Sequence, residues 1–596
     1  MNSISSVDTQ SVTMWLTRFE AALGASDSAA LAGMFLPESY WRDMLAFTWA
    51  ITPHEGRADI VEGLCRAQAG VNARNFEIAQ DRKAPRRIHR LGRDVIEAIF
   101  SFETDAGRCH GVLRLPSDDT GKAWVFSSSL TEIKGHEEPI GDRRPTGSAY
   151  SRNFGGANWS DLRAQEQAFE EREPAVLIMG GSQFGVTLAA RLRLLGVDTL
   201  VVERTPRIGD VWRNRYHSLA LHNQVDKNHF PYIPFPPNWP RYISKDMLAN
   251  FIEFYASAME CNVWTGSELT AGDFDVDAGI WNVTVRRPGG EERVLHPKHL
   301  VMANGVSGNK VMPDVPGLGD FKGEVLHTAD YHSGDAYKGR RALVLGTGTS
   351  GHDCAQDLHV SGVDVKMIQR GSTTVIGLDA ASQGDAAYLS GDLSTDDADL
   401  IAMVPTFTLL KKGLQENTAR SAEYDKALLD GLIRRGFKIN YGPENCGHQM
   451  QLRVRHGGYY LNCGCSDLIV EGKVGVLHWE DADRFVEDGL LMRDGRVEKA
   501  DLVVTATGFQ KQEDLVAQLL GKDIADRVGP IWGLNEQGEL RNMFVPTPQK
   551  GLWFLGGGLS QNRAYSKYVA LQIKAMELGL MEWRCQAKAN LSPNSR

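Results

Sequence analysis

Two short apolar strands, each running into a glycine-rich turn and then a helix, constrain this chain more than any other feature. The first is AVLIM (175–179), followed by GGSQFG (180–185) and the helical run VTLAARLRLLG. The second is RALVL (341–345), followed by GTGTSG (346–351) and HDCAQDLHVSG. Such a turn lets a pyrophosphate approach the backbone and the positive end of the helix dipole. Two dinucleotide-binding units on one chain of 596 residues predict an α/β architecture with several domains.

The turns differ in ways that bear on their ligands. After the first, the strand DTLVVE ends in Glu203, where a carboxylate can accept both ribose hydroxyl hydrogen bonds. Gly180 and Gly185 hold the outer motif positions, and Ser182 stands at the middle one, where its Cβ crowds the closest backbone approach. Arg204 follows Glu203 at the same strand end. After the second turn, with Gly346, Gly348, Ser350 and Gly351, the strand VDVKMI ends not in an acid but in Gln369-Arg370-Gly371-Ser372-Thr373. An acid would repel a 2′-phosphate, whereas Arg370, with Ser372, can bind one through charge-assisted hydrogen bonds. The first site is expected to take FAD and the second NADPH rather than NADH.

Residues 1–135 read as a small α+β unit. Trp15, Leu16, Phe19 and Leu23 recur at helical spacing, and a second helix is expected around Leu31, Met34 and Phe35. Strands are expected at 76–83, 95–104, 109–115 and 122–130, where apolar and polar residues roughly alternate. Residues 136–173 read as a linker ending in a polar helix. The remainder divides into 174–335, 336–500 and 501–596: the first part of a flavin domain, an NADPH domain, and the return to the flavin domain.

A formal net charge of −10 argues against a nucleic-acid partner or an anionic membrane surface. No apolar run is long enough for stable membrane insertion. The N-terminus has no secretory pattern, and eight scattered cysteines fit a reducing, cytoplasmic setting. Cys463 and Cys465 form Cys-x-Cys without evident metal partners, and His89, His110 and His136 lack ligand spacing.

Between the two turns lies FKGEVLHTADY (321–331), which matches F-x-G-x-x-x-H-x-x-x-Y through Phe321, Gly323, His327 and Tyr331. With RIGDVWRNRYHSLALHNQVDKNHFPYIPFP (207–236), TATGF (505–509) and GLWFLGGGLSQNRAYSKYVALQIKA (551–575), it makes residues 174–580 resemble the class B flavin-containing monooxygenases, including the plant indole-pyruvate enzymes. The N-terminal unit is similar to the SnoaL-like, or nuclear transport factor 2-like, cone domain.

The resemblance implies a two-dinucleotide-domain Rossmann-like flavoprotein. It would form a C4a-(hydro)peroxyflavin and insert one oxygen atom of O2 into a small organic substrate. It assigns catalytic neighbourhood to Asn223, His327 and Tyr331, His327 organising the domain junction. Cofactor contacts extend to Trp212, Arg213, Thr507, Gly508 and Gly557. Oxygenation of nitrogen or sulfur is expected first, because the fingerprint ends in Tyr331. Ketone oxygenation and decarboxylative oxygenation of a 2-oxo acid are the alternatives, with an uncoupled NADPH oxidase or non-catalytic flavoprotein as the reading from a different class. A homodimer is left open.

Overall fold

The computed structural model describes residues 6–146, 154–305 and 308–585. Part of the expected linker, 147–153, lies outside the described residues.

The N-terminal unit is a mixed seven-stranded sheet backed by helices Ser6–Gly24, Ser28–Gly33 and Arg57–Val71. Its order is Ile51–Glu55, Phe35–Met44, Ala123–Ile133, Gly107–Pro116, Arg93–Glu103, Arg74–Ile78, and Arg86–Arg90 also pairs with Arg93–Glu103. Four of these strands fall where alternation placed them. Phe35 does not continue the second helix; it opens a strand that pairs in parallel with Ala123–Ile133. Three strands and the helix Arg57–Val71 escaped the sequence reading because sheet partners distant in sequence specify them. Trp15, Phe19, Phe35, Phe76, Phe100, Phe102 and Phe126 fill one side of the sheet with stacked and edge-on ring contacts. This side of the sheet is packed core.

The polar helix Trp159–Ala168 starts with a reciprocal capping box between Asn158 and Asp161. Beyond it, the chain builds the same unit twice. The first parallel sheet has the order Val263–Trp264, Thr199–Val202, Val176–Met179, His299–Met302, Leu552–Phe554. The second has Gly475–His478, Asp364–Gln369, Arg341–Leu345, Leu502–Thr505, Glu324–His327. Each carries a three-stranded antiparallel meander before its fourth strand, Glu268–Leu295 and Ala482–Lys499.

The expected boundaries at 335/336 and 500/501 need correction. Glu324–His327 and Leu502–Thr505 lie side by side in the second sheet, so that domain starts before 324 and ends after 505. The fingerprint hid this, because its histidine closes a strand four residues long.

Six helices between Leu378 and Arg455 form an insert between the paired strands Thr374–Gly377 and Tyr459–Asn462. The final helix, Leu559–Glu577, packs on the first-turn helix Gln183–Leu194. Its other side meets the N-terminal unit, where Ser129 and Tyr568 hydroxyls lie 3.2 Å apart.

Candidate functional site

The two glycine turns repeat the same local contacts. Gly180 sits at φ 108° and Gly346 at φ 115°, a region that favours glycine. Each donates its N–H to the second strand: Gly180 to Val202 O at 2.8 Å, Gly346 to Ile368 O at 3.0 Å. Each lies against the carbonyl of an alanine on the fourth strand, Ala303 or Ala506. The middle positions cap their helices in extended backbone, Ser182 at φ −88°, ψ −164° and Gly348 at φ −80°, ψ −176°. Neither needs glycine for its backbone. A Cβ on Gly348 would meet nothing within 4 Å, so at this point of the turn a side chain conflicts only with a close ligand. The Ser182 hydroxyl turns aside to Gln183 Oε1.

Glu203 ends its strand with 8% exposure. Its Oε2 accepts from Gly181 N at 2.7 Å, and its Oε1 accepts from Thr205 N and Oγ1, both at 2.8 Å. These bonds fix the carboxylate beside the turn. Arg204 next to it is exposed. Trp212 Nε1 donates to Gln183 Oε1 at 2.9 Å, and Asn562 Nδ2 donates to Gln183 O at 3.1 Å. The first-turn helix, the Trp212 segment and the start of the closing helix thus converge on Gln183. Arg213 is engaged structurally, bonded to Asp210, Glu253, Asn250 and Ile208 O.

The residues here fit a bound flavin dinucleotide. Asn562 Oδ1 is buried with no hydrogen-bond partner among the described residues. Gly557 at φ 109° and Gly558 open a 19-residue helix whose N-terminus carries free N–H groups. Trp532, held in the left-handed region at φ 76°, brings its ring tip to 3.3 Å from where a Cβ on Gly557 would stand. Strain in so bulky a residue marks a place the surroundings over-determine.

At the second turn, Arg370 ends its strand exposed and, among the described residues, makes no ion pair. Asn440 Nδ2 donates to Ser372 Oγ at 2.9 Å, and the Thr347 and Thr373 hydroxyls lie 2.7 Å apart. Ser350 is half-buried in the first turn of the helix Thr349–Val360. His352, fully buried, stacks on Tyr460 at 3.9 Å and donates from Nδ1 to Gly348 O at 3.1 Å. Burial holds its pKa down at about 4, so the ring stays neutral and braces the turn.

His327 and Tyr331 both make their side-chain bonds within the second domain. His327 Nδ1 accepts from Ala329 N at 3.1 Å, which leaves Nε2 to donate to Gly508 O at 3.0 Å. Burial lowers its pKa, and both nitrogens are already used. The Thr507 hydroxyl donates to Val311 O at 2.7 Å, tying the same loop to the preceding crossing. Tyr331 is fully buried, and its hydroxyl donates to Asp357 Oδ2. That carboxylate also accepts from Gly334 N at 2.8 Å. Burial and Asp357 push the phenol far above its usual range.

Asn223 sits on the crest of the covering segment. The backbone is pinned on either side by Leu221 N to Ile243 O and Val225 N to Arg241 O, both 2.8 Å. Its carbonyl accepts from Asn228 Nδ2 at 3.2 Å; its amide makes no hydrogen bond among the described residues. Neighbouring His222 is kept neutral by burial, its pKa near 4, and faces His448 of the helical insert, whose pKa is pressed to about 3.

Three contributors were missed in the sequence. Arg563 pairs bidentately with Asp399, both bonds 2.7 Å, and donates to Lys227 O and His229 O, clamping the covering segment to the closing helix. Asn562 is its neighbour. Asn304-Gly305 occupies, after the fourth strand of the first sheet, the place of Thr507-Gly508 in the second; Gly305 and Gly508 have φ of 74° and 84°. Matching VMANG (301–305) to VTATG (504–508) was the available signal.

The family described as flavin-binding monooxygenase-like matches residues 196–518. Indole-3-pyruvate monooxygenase YUCCA1 of Oryza sativa subsp. japonica is 30% identical over 355 residues, 59% of this chain and 80% of the relative. YUCCA8 of Oryza sativa subsp. indica, also an indole-3-pyruvate monooxygenase, is 32% identical over 344 residues, 56% and 75% respectively. The crystal structure of an NADP+-bound cyclohexanone monooxygenase from Rhodococcus sp. Phi1 shares the fold at a TM-score of 0.50 and 16% identity, covering 68% of this chain and 84% of that one. The two matched nucleotide turns, the fingerprint between them and the extent of the family match give one conclusion: this chain belongs to the flavin-binding monooxygenase-like family.

Proposed function

We propose that this protein is an FAD- and NADPH-dependent monooxygenase that inserts one oxygen atom of O2 into a small organic substrate. The observation that carries the reading is the repeated turn geometry with opposite strand ends, Glu203 at one and Arg370 at the other. FAD, when bound, takes reducing equivalents from NADPH and passes them to dioxygen. The chain's own residues do the rest. Glu203, Ser182, Gln183 and Asn562 orient the flavin dinucleotide, and Arg370 and Ser372 select the phosphorylated nicotinamide cofactor. His327 and Tyr331 brace the point where the chain enters the second domain, and the clamped covering segment, with Asn223 on its crest, excludes water.

The expectation of nitrogen or sulfur oxygenation rested on Tyr331. That residue is buried on Asp357 and has no open space to share with a substrate, so it does not choose among amine, thioether, ketone and 2-oxo acid. The relatives named for indole-3-pyruvate make the 2-oxo acid a second reading. The N-terminal unit, with helices on one face of a mixed sheet, supports the SnoaL-like likeness; its aromatic filling favours a structural role over a second active site.

The test is purification followed by NADPH oxidation with peroxide detection across amines, thioethers, ketones and 2-oxo acids. A yellow protein with coupled product formation is expected. A colourless protein that binds no added FAD would refute the proposal.

A further inference from the structure

In the insert, Leu414, Thr418 and Ser421 of the helix Phe407–Tyr424, with Asp425 just past its end, follow one another at steps of four, three and four. That spacing puts them on one face. The face looks across a cleft at the strand Thr374–Gly377, at Leu429 of the helix Lys426–Arg434 and at the start of the helix Gly447–Arg455. The cleft holds about 410 Å3 of empty space and opens to solvent beside the exposed Tyr441. Its lining comes from the second domain alone: among the described residues, none of the first turn, the covering segment or the closing helix borders it.

Two polar groups on this face lack partners. Ser421 is 3% exposed, and its Oγ makes no hydrogen bond among the described residues. A buried hydroxyl in that state calls for a partner. Asp425 Oδ2 accepts from Gly377 N at 2.7 Å. A Cβ on Gly377 would stand 2.7 Å from Asp425 Oδ1, so the carboxylate fits only because residue 377 has no side chain. Oδ1 itself has neither a hydrogen bond nor a cation among the described residues. Lys426, the next residue, is turned to Asp430 at 3.1 Å, and Arg420 donates to Asn417 Oδ1 at 2.8 Å. Burial raises the Asp425 carboxyl above its ordinary range, and Asp379 adds to the effect.

The rest of the lining decides the ligand. Among the described residues that border the cleft, no Lys or Arg occurs, and burial keeps His448 neutral. Val375, Ile376 and Leu429 give an apolar wall. An anion would meet an unpaired carboxylate and no positive charge. An alcohol would satisfy Ser421 and leave Asp425 uncompensated. A primary ammonium has three donors: one for Asp425 Oδ1, one for Ser421 Oγ, and one for the Thr418 hydroxyl, which already donates to Leu414 O at 2.7 Å and is left to accept. We infer that this cleft is an accessory binding site for a small aliphatic primary ammonium, its head on Asp425 and Ser421 and its chain along Val375, Ile376 and Leu429. The site goes beyond the monooxygenase reading and does not depend on it.

The cleft also adjoins the second turn. Thr374 Oγ1 donates to Asn440 Oδ1 at 2.5 Å, and Asn440 Nδ2 donates to Ser372 Oγ at 2.9 Å. The test must therefore separate the ammonium from the nicotinamide cofactor. Isothermal titration calorimetry of the full chain at pH 7, with and without saturating NADP+, compares n-butylammonium, 1-butanol and butyrate. The wild type is expected to bind n-butylammonium at least tenfold more tightly than 1-butanol, and butyrate not at all. D425N keeps an acceptor for Gly377 N and removes the charge; it should lose about ten- to a hundredfold in n-butylammonium affinity. S421A trims one hydroxyl and should lose about three- to tenfold.

A wild type that binds the alcohol or the acid as tightly as the ammonium overturns the inference. So does D425N with wild-type affinity for n-butylammonium, which would place the amine elsewhere on the chain. Displacement of n-butylammonium by NADP+ would assign the cleft to the nicotinamide cofactor and also overturns it. If D425N fails to fold, S421A decides, and unchanged n-butylammonium affinity in S421A overturns the inference. Binding is read without turnover, so a failure here leaves the monooxygenase reading standing, and a protein that binds no FAD leaves this test standing.

Discussion

A Cβ placed on Gly185 would lie 1.9 Å from the carbonyl oxygen of Gly180, and the second turn repeats the relation between Gly351 and Gly346 at 2.3 Å. Helix and strand approach so closely there that neither turn has room for a methyl group. Gly185→Ala and Gly351→Ala should each cost about 1–3 kcal/mol of local packing, and each should open only its own turn. Gly185→Ala is expected to purify depleted in flavin. Gly351→Ala is expected to keep its flavin and lose reduction by NADPH. Flavin content per chain and anaerobic bleaching of the flavin absorbance read the two separately. Equal flavin loss in both variants would show that the turns do not divide the cofactors.

Arg370 is exposed at the strand end, where Glu203 stands in the first domain, and makes no ion pair among the described residues. Removing a charged hydrogen-bond partner costs on the order of 1.5–3 kcal/mol, roughly ten- to a hundredfold in binding. Arg370→Ala should therefore raise KM for NADPH by that factor and leave KM for NADH nearly unmoved. Steady-state kinetics with both cofactors decide it; parallel increases would remove Arg370 from the 2′-phosphate.

Much of this was legible in the chain because the physics was local. Strand, turn and helix at 175–194 and 341–360 are read from periodicity and glycine spacing, and the end residues Glu203 and Arg370 follow by counting. What depended on distant partners was not legible. Phe35 belongs to a strand because Ala123 lies beside it. Glu324–His327 belongs to the second sheet because Leu502–Thr505 lies beside it. The ion pair of Arg42 with Glu539 joins residues almost five hundred positions apart, and no spacing rule connects them. The roles of His327 and Tyr331 were legible as a motif but not as contacts: only the structure shows that Gly508 O and Asp357 use up their polar atoms.

His352 makes stability depend on pH. Its pKa is depressed from 6.5 to about 4 by burial, so the unfolded chain binds a proton that the folded one refuses. Its contribution is fully present above about pH 6.5 and is lost as pH falls toward 4. For this fully buried ring the loss is on the order of 3 kcal/mol. His352→Gln keeps a side-chain donor for Gly348 O and cannot titrate there. Its denaturation midpoint should fall less between pH 7 and pH 4.5 than that of the wild type, even if it starts lower. Identical slopes in urea titrations at the two pH values would assign the acid sensitivity to other groups, among them His222 and His448.

Asn223 separates reduction from oxygenation. Reduction requires the nicotinamide to meet the flavin, and the two turns, the Arg370 end and the His327 brace secure that without Asn223. Oxygenation requires in addition a dry pocket with a hydrogen-bond donor where reduced oxygen is held. Asn223 is half-buried on a crest pinned at Leu221 and Val225, and its side-chain amide has no partner among the described residues to give up. Asn223→Leu keeps the volume and removes the donor. NADPH should still be consumed at close to the wild-type rate of flavin reduction, while the fraction of electrons leaving as hydrogen peroxide rises toward all of them. Loss of one oriented donor is worth about 10²–10³-fold where charge develops in a dry site, enough to turn a coupled enzyme into an oxidase. Stopped-flow reduction and peroxide yield per NADPH, taken on the same preparation, settle it: slowed reduction would make Asn223 a cofactor-positioning residue, and unchanged coupling would make it an ordinary turn residue of the segment.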